Sequence, residues 1–153
     1  MAETTSSVAA PSLTIERTFD APRQLVWKAW TDPAHVMQWL GPSGFTATDF
    51  QMDPDPGGSW SSRMVGPDGA QYANGGIVRE VIEPERLVFT FAWDDENGEP
   101  GREMLITITL AEADGRTVMT FHQAVFESAE DRDGHEQGWS ESFDKLAAFV
   151  AEA

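Results

Sequence analysis

Three histidines, His35, His122 and His135, are the side chains of this sequence best suited to bind a metal ion or move a proton near neutral pH. A zinc-type site draws three or four ligands to one point, whereas these three fall on three different predicted elements. His35 sits in a short helical segment and His122 on the strand face opposite Phe121, so both are expected at solvent. His135 precedes Trp139 by four residues, which puts the two on one helix face and His135 at the rim of any space that Trp139 faces. A structural role at the start of that helix is the plainer reading of His135, and a ligand or acid–base role is the alternative.

The other motifs that could do chemistry are incomplete. Gly138-Trp-Ser-Glu-Ser142 follows a nucleophile elbow until its last residue, where Ser stands in place of the Gly that the sharp turn needs. It also lies inside a helical pattern with no strand before it. Residues 94–99 and 131–134 are rich in Asp and Glu but lack the ligand spacing and closing Glu of a calcium loop. Gly57-Gly58 and Gly75-Gly76 lead into strands rather than a helix start, so neither forms a phosphate cradle. The sequence has no Cys, which excludes a disulfide scaffold, a thiolate metal site and a cysteine nucleophile. No nucleophile–base pair or ligand set is complete, so no cofactor, no metal and no catalytic residue are expected.

The aromatic residues say more. Trp60, Phe89, Phe91 and Trp93 on predicted strands, with Trp139 and Phe143 on the last helix, all face the space between sheet and helix. Ser62 shares a face with Trp60 and Met64, and Gln123 shares one with Met119 and Phe121. Tyr72 brings a hydroxyl that also needs a partner. Each aromatic taken alone reads as core. The polar residues among them point to a cavity, because a buried amide without a partner costs about 1–3 kcal/mol. An inward Gln123 therefore needs a protein group, a water or a ligand. Apolar walls with a few polar groups are the composition of a small-molecule pocket. These twelve residues form the candidate ligand cavity.

The elements that must position them follow from periodicity. Leu13, Ile15 and Phe19 alternate with polar residues as a half-buried strand over 13–19. Arg17 falls on its apolar face and, at a strand end, is expected to snorkel to water, with a buried anchor as the alternative. Asp20 is expected to cap a helix with Pro22 in its first turn, and Asp32-Pro33 to open a second helix through Trp39 that Gly41-Pro42 stops. Strands are then expected over 45–52, 59–65, 71–83, 87–93, 104–110 and 117–126, with a bulge at Gly75-Gly76 and tight turns at 66–69 and 113–115. Ser128 caps a long helix in which Trp139, Phe143, Leu146 and Val150 recur at helical spacing. One strand, two helices, about six strands in hairpins and a long final helix make an α+β domain.

Length and charge set the outer limits. A chain of 153 residues is one domain's worth and buries about two-thirds of its unfolded surface. Residues 1–12 are small and polar and read as a disordered leader, leaving 13–153 as the domain. The net charge of −16 makes nucleic acid and anionic membrane surfaces poor partners. Without a signal-peptide pattern, the expected location is cytoplasmic.

The order and spacing of several fragments resemble one family. Phe19-Asp-Ala-Pro22, Val26-Trp27-Lys-Ala-Trp-Thr-Asp-Pro33, Trp39-Leu-Gly-Pro42, Pro56-Gly-Gly-Ser-Trp60, Pro67-Asp-Gly69, Gly76, Glu83-Pro-Glu-Arg-Leu-Val-Phe89 and His135-Glu-Gln-Gly-Trp139 are similar to activator-of-heat-shock-ATPase-like domains. These belong to the SRPBCC superfamily, with START lipid-transfer domains, polyketide cyclases and the birch-pollen allergen. The resemblance implies a helix-grip fold of about six or seven strands: a curved antiparallel sheet wrapped around the C-terminal helix. It also implies apolar small molecules held between sheet and helix. Two departures stand out. Asp53 and Asp55 occupy the Pro-Gly-Gly turn where many relatives carry a basic residue, and Gln123 stands where many have an inward His, which counts against His-based chemistry. The expected function is therefore binding of a hydrophobic small molecule without catalysis. A module that touches a chaperone or other protein partner is the alternative, and a cyclase or hydrolase using His135 and Glu103 is the third.

Overall fold

The structure, a computed structural model, describes residues 11–152. Its elements are β1 (Leu13–Phe19), α1 (Arg23–Thr31), α2 (Pro33–Trp39), β2 (Thr46–Met52), β3 (Ser59–Val65), β4 (Gln71–Ile82), β5 (Arg86–Trp93), β6 (Met104–Ala113), β7 (Arg116–Ala124) and α3 (Ala129–Glu152). The seven strands form one sheet in the order β1-β7-β6-β5-β4-β3-β2, antiparallel throughout. β1 and β2 are its two edges, so α1 and α2 carry the chain from one edge to the other. The long α3 lies against the inner face, with Phe143, Leu146 and Val150 almost fully buried. This is the α+β order that the periodicity predicts, in the helix-grip arrangement that the resemblance implies. The leader expected over 1–12 lies outside the described residues except for its end, where the Pro11 carbonyl accepts from Phe126 N at 2.9 Å. No helix among the described residues is long and apolar enough to cross a membrane.

Local chemistry explains most boundaries. Asp32 caps α2 as expected, its carboxylate accepting from Ala34 N at 3.0 Å with Pro33 in the first turn. Ser128 Oγ accepts from Asp131 N at 3.0 Å and starts α3. The β6–β7 hairpin turns through Asp114 and Gly115 at φ 54° and 79°, the paired positive φ values of a two-residue turn.

Three expectations are corrected. Asp20 does not cap α1: the helix begins at Arg23, and its N-cap is Pro22, whose carbonyl accepts from Leu25 and Val26. A residue before proline is pushed out of the helical region, so the helix cannot extend back past Ala21. The bulge in β4 lies between Val78 and Glu80, not at Gly75-Gly76. The glycines there serve close approach instead. A Cβ on Gly76 would stand 2.0 Å from the Thr90 carbonyl oxygen, the same oxygen that accepts the Trp60 indole N–H at 2.7 Å. His35 is half-buried rather than solvent-facing, its ring edge-on to Phe149 at 5.2 Å, because α2 lies close against α3.

Arg17 does not simply snorkel to water but anchors the strand. Its guanidinium reaches from β1 to the Ser140 carbonyl at 2.9 Å and the Asp144 carboxylate at 2.8 Å, tying the sheet edge to the middle of α3.

Candidate functional site

Between the inner face of β2–β5, the loop after α2 and the first half of α3 lies a pocket of about 380 Å³. Strand register assembles its floor. Ser62, Asn74 and Trp93 face one another across β3, β4 and β5, while Met64 pairs with Tyr72 one row nearer the strand end. Trp60, Phe89 and Phe91 form an aromatic wall, with the Trp60 ring 5.3 Å from Phe89 and 5.7 Å from Phe91. Trp139 and His135 of α3 close the opposite side. The rim loop is tied down to α3: Gly41 N donates to Ser142 Oγ, Ser43 N to Glu141 and Lys145 Nζ to the carbonyls of Pro42 and Phe45.

Of the residues expected to line a cavity, Trp60, Ser62, Met64, Tyr72, Phe89, Phe91, Trp93 and Trp139 do line this pocket. Met119, Phe121, Gln123 and Phe143 do not. All four are buried, but on the far side of Trp139, whose ring stacks on Phe143 at 5.6 Å and meets Phe121 at 4.7 Å. Trp139 is thus the partition between pocket and core. Its indole N–H donates to Gln123 Oε1 at 2.8 Å, and Gln123 Nε2 sits 3.5 Å from Met104 Sδ. The inward amide has its partner in the protein, so Gln123 is a core residue that holds the partition upright.

Other lining residues escape the sequence patterns. Trp30 and Val36 come from α1 and α2, Phe50 from β2, and Ser142, Gly134 and Gly138 from α3. Asn74 was accessible in principle, since it stands two residues from Tyr72 on the same strand face. Nothing in the pattern set it apart from an exposed asparagine.

His135 reaches the rim as its spacing implies. Its Nε2 accepts the Trp93 indole N–H at 3.1 Å, which leaves the ring proton on Nδ1. Burial against Phe126, Phe91 and Trp93 pushes its pKa below the usual histidine value, opposed by the nearby Asp131 carboxylate. The ring is therefore neutral at pH 7. His122 instead pairs with Thr14 Oγ1 at 2.9 Å across β1 and β7. Glu103 is exposed and outside the pocket wall, and no three His, Asp or Glu side chains among the described residues could hold a metal ion together.

The lowered pKa has a consequence for stability. On acidification from pH 6.5, the unfolded chain takes up a proton on His135 before the folded chain does, so stability falls across that window. His135→Gln keeps an acceptor for Trp93 but cannot titrate. Thermal melts between pH 7 and 5 should show wild type losing more stability than His135→Gln, and parallel curves would refute the assignment.

Comparison with known proteins comes to the same fold. Residues 20–151 match the family model described as activator of Hsp90 ATPase homolog 1-like protein. A crystal structure of a protein from Chromobacterium violaceum superposes with a TM-score of 0.82 at 31% identity, covering 91% of this chain and 96% of that one. The AHSA1 protein from Silicibacter pomeroyi gives 0.82 at 31% identity, over 92% and 98% of the two chains. A solution structure of a protein from Arthrobacter aurescens gives 0.83 at 30%, over 94% and 88%. No curated protein matches the chain. With the family model spanning nearly all the described residues and these relatives matched over 88–98% of their length, the chain belongs to the activator of Hsp90 ATPase homolog 1-like family of the SRPBCC superfamily.

Proposed function

We propose that this chain binds a largely apolar, aromatic small molecule in the pocket beneath α3. The observation that carries this reading is the wall: tryptophan and phenylalanine rings surround about 380 Å³, interrupted by a few polar groups from Ser62, Asn74, His135 and Ser142. Pockets that hold drug-sized ligands run from roughly 300 to 1,000 Å³ with the same mixture of surfaces. A compound of two or three fused or linked rings fits the lower end of that range. A packed core gains nothing from such a space, because unfilled apolar volume forfeits dispersion contacts.

The test uses N-phenyl-1-naphthylamine, an uncharged dye that brightens in apolar surroundings. It is expected to bind one per chain and to quench the tryptophan emission. Gly134→Leu supplies the control. Gly134 lines the pocket at its exposed rim, and a Cβ there meets nothing within 4 Å, so leucine is accommodated beside the mouth. The substitution also removes a mid-helix glycine, which raises helix stability by up to about 1 kcal/mol. A variant at least as stable as wild type but binding the dye about tenfold more weakly would support the pocket as the site. No saturable dye binding to the wild-type chain, or binding without any quenching of its tryptophan emission, would sink the proposal.

A further inference from the structure

The pocket's polar groups are not equivalent. His135 Nε2 is engaged by Trp93, Ser142 Oγ accepts from Gly41, and Tyr72 stands at the mouth, 40% exposed. The indole N–H of Trp30, another lining residue, has no partner but is sealed off from the space, and Asn74 differs from all four. It is 5% exposed, it lines the pocket, and its Oδ1 accepts the hydroxyl of Ser62, itself 3% exposed. That contact orients the amide and leaves Nδ2, with its two hydrogens, without a protein acceptor among the described residues. Nδ2 is not among the sealed, unpartnered atoms of the core, so it is open to the pocket, and a ligand oxygen or nitrogen that meets it gains a directed hydrogen bond in place of water.

Charge gives the second constraint. No Lys, Arg, Asp or Glu lines the pocket. Lys145 Nζ is occupied by the Pro42 and Phe45 carbonyls on the rim loop. An ionised group carried into this space would lose its hydration without gaining a counter-ion. The chain's net charge of −16 adds a long-range penalty for anions.

Resting on the reading of the pocket as a ligand site, we infer that it selects uncharged ligands bearing a hydrogen-bond acceptor, and that the Asn74 amide is the group that reads the acceptor. Ser62 is the positioning residue: its hydroxyl holds Oδ1 so that Nδ2 faces the space. The apolar body of the ligand packs on Trp60, Phe91 and Trp139, and its acceptor meets the floor between β3 and β5.

Three naphthalenes of similar shape test this by displacement of N-phenyl-1-naphthylamine: 2-isopropylnaphthalene, methyl 2-naphthoate and the 2-naphthoate anion. The readout is the affinity ratio of ester to hydrocarbon, compared between wild type and Asn74→Leu, so that differences in water solubility cancel. The ratio is expected to fall about fivefold in Asn74→Leu, with hydrocarbon binding retained as evidence that the pocket is intact. The double variant Ser62→Ala/Asn74→Leu, which leaves no orphaned hydroxyl, should give the same fall if the single variant folds poorly. In wild type the anion is expected to bind at least about a hundredfold more weakly than its ester. An unchanged ratio in both variants, or an anion that binds as well as the ester, overturns the inference while leaving the pocket a binding site. If neither neutral compound displaces the dye, the underlying reading falls and this inference with it.

Discussion

Trp139→Ala lowers the unfolding free energy by about 3–5 kcal/mol in urea or guanidinium titration. The size follows from what the ring touches. It stacks on Phe143 and lies 6.1 Å from Trp30, and it meets Phe121 at 4.7 Å, so its removal opens a cavity between α3 and the sheet. The variant also strands Gln123 Oε1, whose donor is the Trp139 indole. The two parts separate by substitution. Trp139→Phe keeps most of the packing and loses the hydrogen bond, and Gln123→Leu keeps near-equal volume and strands the indole instead. Each single change is expected to cost about 1–3 kcal/mol, whereas the Trp139→Phe/Gln123→Leu pair leaves neither group orphaned and costs less than their sum. A strictly additive cycle would show that the contact contributes nothing to stability. Because the same ring walls the pocket, dye binding by these variants must be measured on protein shown to be folded.

Gly76→Ala is the smallest substitution with a comparable effect, a loss of about 3–4 kcal/mol. The added methyl would lie 2.0 Å from the Thr90 carbonyl oxygen and 2.5 Å from Thr90 Oγ1. Thr90 belongs to β5 at the sheet centre, buried throughout apart from its ends, so backbone rather than a flexible side chain must yield. Thr90 is also held at both acceptors: its carbonyl takes the Trp60 indole and its Oγ1 takes the Ile77 N–H at 2.8 Å. Displacing it tilts Trp60 and with it the aromatic wall. For a domain of this size the loss corresponds to a fall in Tm of roughly 10 °C. Gly69→Ala offers a contrast, since a Cβ there meets nothing within 4 Å and only its positive φ is penalised. A Gly76→Ala melt within about 2 °C of wild type would show that β5 can move, and the account of the wall would be wrong.

The local grammar of the chain was open to reading from residue types alone. Asp32-Pro33 and Ser128 are helix starts because a short polar side chain takes a free N–H one turn ahead, and that interaction spans at most three residues. Asp114-Gly115 makes a turn because those two residues tolerate positive φ. Alternation put Trp60, Ser62 and Met64 on one face of β3 and Phe89, Phe91 and Trp93 on one face of β5, since a strand's side chains have period two whatever lies opposite. What lies opposite was decided elsewhere. Gln123 and Trp93 both point inward, yet one is sealed in the core and the other walls a pocket, because Trp139 comes down between them from a helix that begins only after the last strand. Arg17 became an anchor through Asp144, a partner 127 residues away. Gly76 is required by the approach of Thr90 from a neighbouring strand, which no local pattern contains. Periodicity determines the face a side chain takes; only the curl of the sheet and the line along which α3 crosses it determine whether that face meets protein or open space.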